Sequence, residues 1–170
     1  MTEQEQSDQY FMSLALEQGQ LAYDIGEVPV GAVVVQDGQI IGRGFNQPIT
    51  SLDPSAHAEV VALRDAAKNI GNYRLNGVTL YVTIEPCTMC SGLLVHSRIE
   101  RLVYGAAEPK SGVVESRMRI FDGDLYNHHI ECRGGVLALE ASTLMSDFFK
   151  QRRASKKKLK QLNRDAEEQS

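Results

Sequence analysis

The sequence is short of cysteine, has no long apolar run and lacks a leader-like start, and each absence narrows what the chain can be. Of 170 residues only Cys87, Cys90 and Cys132 are cysteine. A small odd number without an export signal argues against a disulfide framework and leaves reduced thiols free to bind metal. No stretch of about 18 apolar residues occurs, so no helix is expected to span a membrane. The first ten residues, MTEQEQSDQY, show neither the apolar core of an export signal nor an Arg-rich transit pattern. The cytoplasm is therefore the expected compartment. Internal repeats are absent too.

What is present fits a globular protein. Hydrophobic residues make up 42% of the chain and charged residues 24%, both ordinary values. The length suits one core, since domains usually run to about 100–200 residues. We expect a single domain over residues 1–170, with 150–170 as a basic helical extension. The net charge of −4 hides an asymmetry: residues 1–149 carry ten basic and 19 acidic side chains, whereas 150–164 carry eight basic and no acidic ones. A body of one sign with a tail of the other says more about partners than the average does.

Periodicity predicts a first helix from about Ser7, a plausible N-cap, to Asp24, ended by Gly26. Val28–Val35 and Ile40–Phe45, on either side of Asp37-Gly38, predict a β-hairpin. Asp53-Pro54 is expected to open a helix that runs to about Asn69, with Pro54 in its first turn and Gly71 as its stop. Val78–Ile84 reads as a buried strand, Cys87–Ser97 as a helix and Arg101–Gly105 as a strand. Residues 106–128 read as irregular. A short strand over His129–Arg133 and a long helix from about Val136 complete the pattern, and strands alternating with helices predict an α/β layer fold.

Two short motifs carry the chemistry. His57-Ala58-Glu59 and Pro86-Cys87-Thr88-Met89-Cys90 each fall at the start of a predicted helix. Cysteines at i and i+3 share one face of a first helical turn, so both sulfurs can reach one ion. The positive end of the helix dipole favours their thiolate form. His57 is the third candidate ligand, and three protein ligands leave the fourth tetrahedral position for water, the catalytic arrangement of zinc. Zinc brings the pKa of such a water near neutrality, and Glu59 is the candidate carboxylate to shuttle its proton. One geometric difficulty accompanies this reading. Residues i and i+2 of a regular helix point about 200° apart, so His57 and Glu59 can face one ion only at a helix end.

The ordered pair H-x-E and P-C-x-x-C is the signature of zinc-dependent nucleobase deaminases. Across about residues 7–155 the chain resembles the bacterial tRNA-specific adenosine deaminases of the TadA type. The resemblance is carried by Gly26-Glu27-Val28-Pro29-Val30-Gly31-Ala32-Val33, Asn46, the two motifs, His96-Ser97-Arg98-Ile99 and Ser146-Asp147-Phe148-Phe149. It implies a cytidine-deaminase-like three-layer α/β fold, in which a five-stranded sheet carries helices on both faces. It further implies one zinc per subunit between two helix starts, and a homodimer whose active site borders the partner. The implied reaction is zinc-dependent hydrolytic deamination of adenosine to inosine at the wobble position of a tRNA anticodon loop.

The resemblance also assigns residues. Asn46 matches a position that holds the purine ring by its side-chain amide, and Asn127 one near the target nucleotide. Phe149 and Arg152 match positions that contact the anticodon loop, and Lys110 one that approaches the RNA backbone. Glu108 stands where the family pattern has Asp, so contacts there are expected to differ. The basic tail fits phosphate attraction, and an unpaired loop base is cheap to extrude. Cys132 is expected to be a small buried apolar residue, and His96, His128 and His129 packing or surface residues.

Two other readings stay open on the sequence. An enzyme of the same fold could act on a free base or nucleoside such as guanine or cytidine, with no use for the tail. A zinc-stabilised module could instead bind RNA or a partner without catalysis, although Glu59 counts against it.

Overall fold

The computed structural model describes residues 1–168. Residues 169–170, the end of the expected basic extension, lie outside the described residues.

Helix α1 spans Glu3–Asp24 and starts earlier than the Ser7 cap predicts. A capping box decides the boundary. The Glu5 N–H donates to Thr2 Oγ1 at 3.1 Å and the Thr2 N–H to the Glu5 carboxylate at 2.8 Å, so two otherwise orphaned donors are satisfied and Ser7 becomes an interior residue. The predicted hairpin is present as β1, Gly31–Gln36, and β2, Gln39–Phe45. Asp37 and Gly38 join them with φ of 50° and 74°, the two left-handed positions that match the twist of flanking strands. A short helix α2, Pro48–Ser51, follows. Helix α3 runs Ala58–Ile70 with His57 as N-cap; Pro54 lies in the turns before it, outside the first helical turn in which its sequence context predicts it. The remaining elements are β3 Thr79–Ile84, α4 Thr88–Ser97, β4 Arg101–Ala106, β5 Glu131–Arg133 and α5 Ala138–Glu168. Residues 107–130 hold neither helix nor strand, close to the predicted 106–128, and the last strand starts at Glu131, two residues later than expected.

The five strands form one sheet in the order β2-β1-β3-β4-β5. β1 is antiparallel to both β2 and β3, while β3, β4 and β5 run parallel. Alternation along the strands sends Val33, Val35, Tyr81 and Val103 to the α1 face, where they meet Phe11, Met12 and Ala15. Ala32, Val34, Leu80, Val82 and Leu102 point the other way, towards Ala58, Ala62, Leu63 and Ala66 of α3 and Leu94 of α4. Helices therefore cover both faces, the three-layer fold the resemblance implies. α3 sits close on the sheet because Gly42 and Gly44 of β2 face Ala62 and Ala66: a Cβ on either glycine would collide with the α3 backbone. This close seat fixes the start of α3 relative to the ends of β3 and β4, the side of a parallel sheet where sites are usually built.

A buried carboxylate ties the α1 layer to the sheet. Asp8 is fully buried and accepts from Arg101 at 2.7 and 2.9 Å, Arg133 at 3.0 Å and the Tyr81 hydroxyl at 2.9 Å. Burial pushes its carboxyl up, but hydrogen bonds from Arg101, Gln4 and Tyr81 outweigh this and hold it below the usual carboxylate range. Stability from the network is therefore complete above the ordinary carboxylate pKa and is lost as pH falls towards the lowered one. Asp8→Ala strips Arg101 and Arg133 of their buried partner. It should lower the unfolding free energy by about 3 kcal/mol, measured by denaturant titration; a loss below ~1 kcal/mol would mean the pairs behave as exposed ones.

Cys132 corrects an expectation. It is exposed, because β5 is a three-residue edge strand paired only with β4. No helix among the described residues is long and apolar enough to cross a membrane.

Candidate active site

The two motifs meet at two helix starts. His57 is the N-cap of α3, with extended backbone at φ −72° and ψ 154°. Cys87 is the N-cap of α4, at φ −82° and ψ 176°. Neither side chain makes a capping hydrogen bond, so both stay available to a ligand. The N-cap placement also resolves the spacing of His57 and Glu59: one residue precedes the helix and the other lies in its first turn, so the regular 200° separation does not apply.

His57 Nδ1 lies 3.7 Å from Cys87 Sγ and 3.6 Å from Cys90 Sγ, and the three donor atoms all fall within 4.8 Å of one another. A tetrahedral ion at zinc distances, about 2.3 Å from sulfur and 2.0 Å from nitrogen, separates its donors by about 3.5–3.8 Å. The spacing fits, and His57, Cys87 and Cys90 are positioned to hold a metal ion. No other group of this kind occurs among the described residues.

The electrostatics agree with a cation site. The Cys90 S–H bonded to the Cys87 sulfur, with His57 beside it, holds the Cys87 thiol down to about 4. The same bond, with burial, pushes the Cys90 thiol up. His57 is raised by its bond to Cys87. Without metal, these shifts favour a thiolate at Cys87 and the protonated forms of His57 and Cys90, and an incoming cation displaces the protons of the latter two. Glu59 is 4% exposed, and burial pushes its carboxyl up.

A cavity of about 150 Å³ opens over this cluster, lined by His57, Glu59, Cys87 and Asn46 with Val28, Val30, Ile84, Glu85, Glu108, Ser111 and Met145. Asn46 Oδ1 accepts the Ala58 N–H, the first free donor of α3, at 2.8 Å, so Nδ2 is the part of its amide left to donate to a ligand. Two further buried carboxylates brace the rim. Glu27 accepts the Thr50 N–H at 2.7 Å and its hydroxyl at 2.9 Å, anchoring α2. Glu85 is 3% exposed and gathers the 107–117 segment around it.

The structure brings His57, Glu59, Cys87, Cys90 and Asn46 together, and leaves the other predicted residues farther out. Lys110 lines a neighbouring cavity of about 430 Å³ with Cys87, Met89, Ser111 and Arg117. Asn127 is exposed in the 107–130 segment and does not line the reaction cavity. Phe149 is partly exposed, its ring centroid 5.4 Å from that of Phe148, and Arg152 is exposed farther along α5. His128 hydrogen-bonds the Ile99 carbonyl at 2.6 Å, the packing role expected of it. Glu85 and Met145 escape a reading of the sequence. An acidic residue closing an apolar strand is the available signal for Glu85, since buried carboxylates are rare without a partner; Met145 has none.

Comparison with known proteins agrees with this geometry. Residues 5–106 match the family described as the cytidine and deoxycytidylate deaminase zinc-binding region. The tRNA-specific adenosine deaminase of Haemophilus influenzae is 54% identical over 151 residues, covering 88% of this chain and 87% of that protein. The tRNA-specific adenosine deaminase of Bacillus subtilis is 42% identical over 150 residues, 88% and 93% of the two chains. A solved structure from a study of A-to-I editing by tRNA:A34 deaminases at the wobble position superposes with a TM-score of 0.77 at 42% identity, covering 79% of this chain and 98% of that one.

Proposed function

Because the chain belongs to the cytidine and deoxycytidylate deaminase family, we propose that it is a zinc-dependent tRNA adenosine deaminase, converting adenosine to inosine at the wobble position of the anticodon loop. The observation that carries this reading is a buried carboxylate, Glu59, on the wall of one cavity with His57 and Cys87, which with Cys90 form the metal donor set. A zinc ion held by those three residues supplies the Lewis acidity that makes water nucleophilic near neutral pH. Glu59 takes one proton from the attacking water and delivers it to the purine ring nitrogen, then takes the second from the oxygen now on C6 and delivers it to the departing amine. The C6–N6 bond breaks, ammonia leaves, and oxygen from water remains on C6. Asn46 orients the purine through Nδ2.

The carrier is RNA in this reading. An anticodon loop presents its base already unpaired, which lowers the cost of seating it in a cavity. Lys110 approaches the backbone, Asn127 the target nucleotide, and Phe149 and Arg152 the loop. The protein works in the cytoplasm as a homodimer, for which exposed Met89 and Met118 offer apolar surface.

The test is inosine formation on an anticodon-type RNA hairpin with adenine in its loop, run beside free adenosine, guanine and cytidine. Inosine in the hairpin alone is expected; turnover of a free base alone overturns the RNA reading. The tail gives a second, quantitative check. Seven of its eight cations (all but Lys158) fall within about 160° of the helix circumference at 100° per residue. Replacing Lys156, Lys157 and Lys160 by Gln should flatten the dependence of log affinity on log salt by about 0.7 for each phosphate that the tail no longer neutralises. An unchanged slope would make the tail a bystander.

A further inference from the structure

Glu85 has no cation within salt-bridge distance among the described residues, yet it is almost wholly buried. Its charge is met by backbone dipoles instead. Oε1 accepts the N–H groups of Val114 at 2.9 Å, Glu115 at 2.8 Å and Ser116 at 3.0 Å. Oε2 accepts the Glu108 N–H at 2.8 Å and the Ser116 hydroxyl. One carboxylate thus collects donors from both ends of a segment with no helix or strand of its own. Successive N–H groups converging on an anionic centre form the kind of nest that binds anions; here the anion is built into the chain.

The same segment faces the cavity over the metal cluster. Glu108 and Ser111 line the reaction cavity, while Lys110 and Arg117 line the cavity beside it. Glu85 itself sits at the end of β3, two residues before Cys87. Gly112 packs so closely on the Glu85 carboxylate that a Cβ there would overlap it.

We infer that Glu85 is a positioning residue for substrate recognition: by folding residues 108–116 around its carboxylate it sets where Glu108, Lys110 and Ser111 meet the nucleotide that carries the target base. The inference rests on the RNA reading above. It separates two jobs at one strand end, with Cys87 serving the metal and Glu85 the recognition loop.

Glu85→Gln keeps the shape but presents an amide N–H₂ on one side. If the amide oxygen takes the Oε1 side, the Glu108 N–H faces another donor; if reversed, three N–H groups do. Gly112→Ala drives a methyl against the Glu85 carboxylate and the Glu108 carbonyl, displacing the loop from its anchor while leaving the carboxylate chemically intact. For both variants the KM for the RNA hairpin should rise about tenfold and kcat change by less than about twofold, because the loop carries neither a metal ligand nor Glu59. Zinc content should stay at wild-type level. In Glu85→Gln, hydrogen exchange at the amides of Glu108 and Val114–Ser116 should accelerate by about 10- to 100-fold. Freed amides with an unchanged KM overturn the inference, as do amides that stay protected. Loss of zinc overturns it as well, since Glu85 would then act through the metal end of the strand. A wild-type protein inactive on the hairpin defeats the proposed function, whereas amide exchange still decides whether Glu85 holds the loop.

Discussion

Glu59→Ala is expected to lower inosine formation by about 10⁴-fold while zinc content stays at the wild-type level. The size follows from the number of tasks assigned to one side chain. Glu59 must move two protons in turn, one from water to the ring nitrogen as oxygen adds to C6 and one to the amine as it leaves, so its removal strikes both bond formation and bond breakage. Its environment suits a carrier of that kind. Buried to 4% exposure, with burial raising its carboxyl above the ordinary range, it holds a proton more readily than a surface glutamate does. The unchanged zinc content follows from the donor geometry, because the three atoms grouped around one point belong to His57, Cys87 and Cys90, and Glu59 is not among them. Glu59→Gln should be nearly as inactive, since the amide keeps the volume but cannot exchange the proton. Activity above about a hundredth of wild type would assign the proton transfer to another group, and zinc lost together with activity would make Glu59 a ligand.

The residues legible in the sequence are those whose placement is decided locally. Asp37-Gly38 specifies its turn by needing two left-handed residues, and the hairpin forms where that predicts. His57 and Cys87 are expected at helix starts, and both are N-caps. Elsewhere a competing local device or a long-range contact wins. The Thr2/Glu5 capping box outranks Ser7 as the start of α1. Pro54, compatible with a first helical turn, is left outside it because the chain turns through residues 52–57 to bring His57 to the cap. Cys132 looks like a buried apolar residue, but exposure depends on whether anything covers the outer side of β5, which no local pattern reports. The neighbours of the metal cluster are hidden as well. Met145 reaches the cavity only because α5 packs back against the sheet, and the anchoring of residues 108–116 on Glu85 joins positions 23 to 31 residues apart.

Cys87→Ser should yield a folded protein that has lost its zinc and its activity, and the reason lies in where Cys87 sits. A cysteine at an N-cap makes no side-chain capping hydrogen bond here, whereas a serine hydroxyl at the same place can accept a first-turn N–H of α4. Serine at such a position stabilises a helix by about 0.5–2 kcal/mol relative to residues that cannot cap, which offsets part of the folding energy lost with the metal. The hydroxyl is nevertheless a poor zinc ligand, since it lacks the low-pKa sulfur that the Cys87 environment holds down to about 4. Removing one of three protein ligands should leave less than about a tenth of an equivalent of zinc after purification. Inosine formation should fall at least as far as in Glu59→Ala, because the Lewis acid is absent altogether. Cys132→Ser is the control: exposed on the edge strand and outside the donor group, it should retain zinc and keep activity within about twofold. The two serine variants together separate the roles of the thiols. Zinc retained by Cys87→Ser would remove Cys87 from the metal site, whereas zinc lost from Cys132→Ser would place the metal elsewhere. Loss of fold in Cys87→Ser, seen as loss of cooperative unfolding, would instead mean that the ion holds α3 and α4 together as well as activating water, making it structural and catalytic at once.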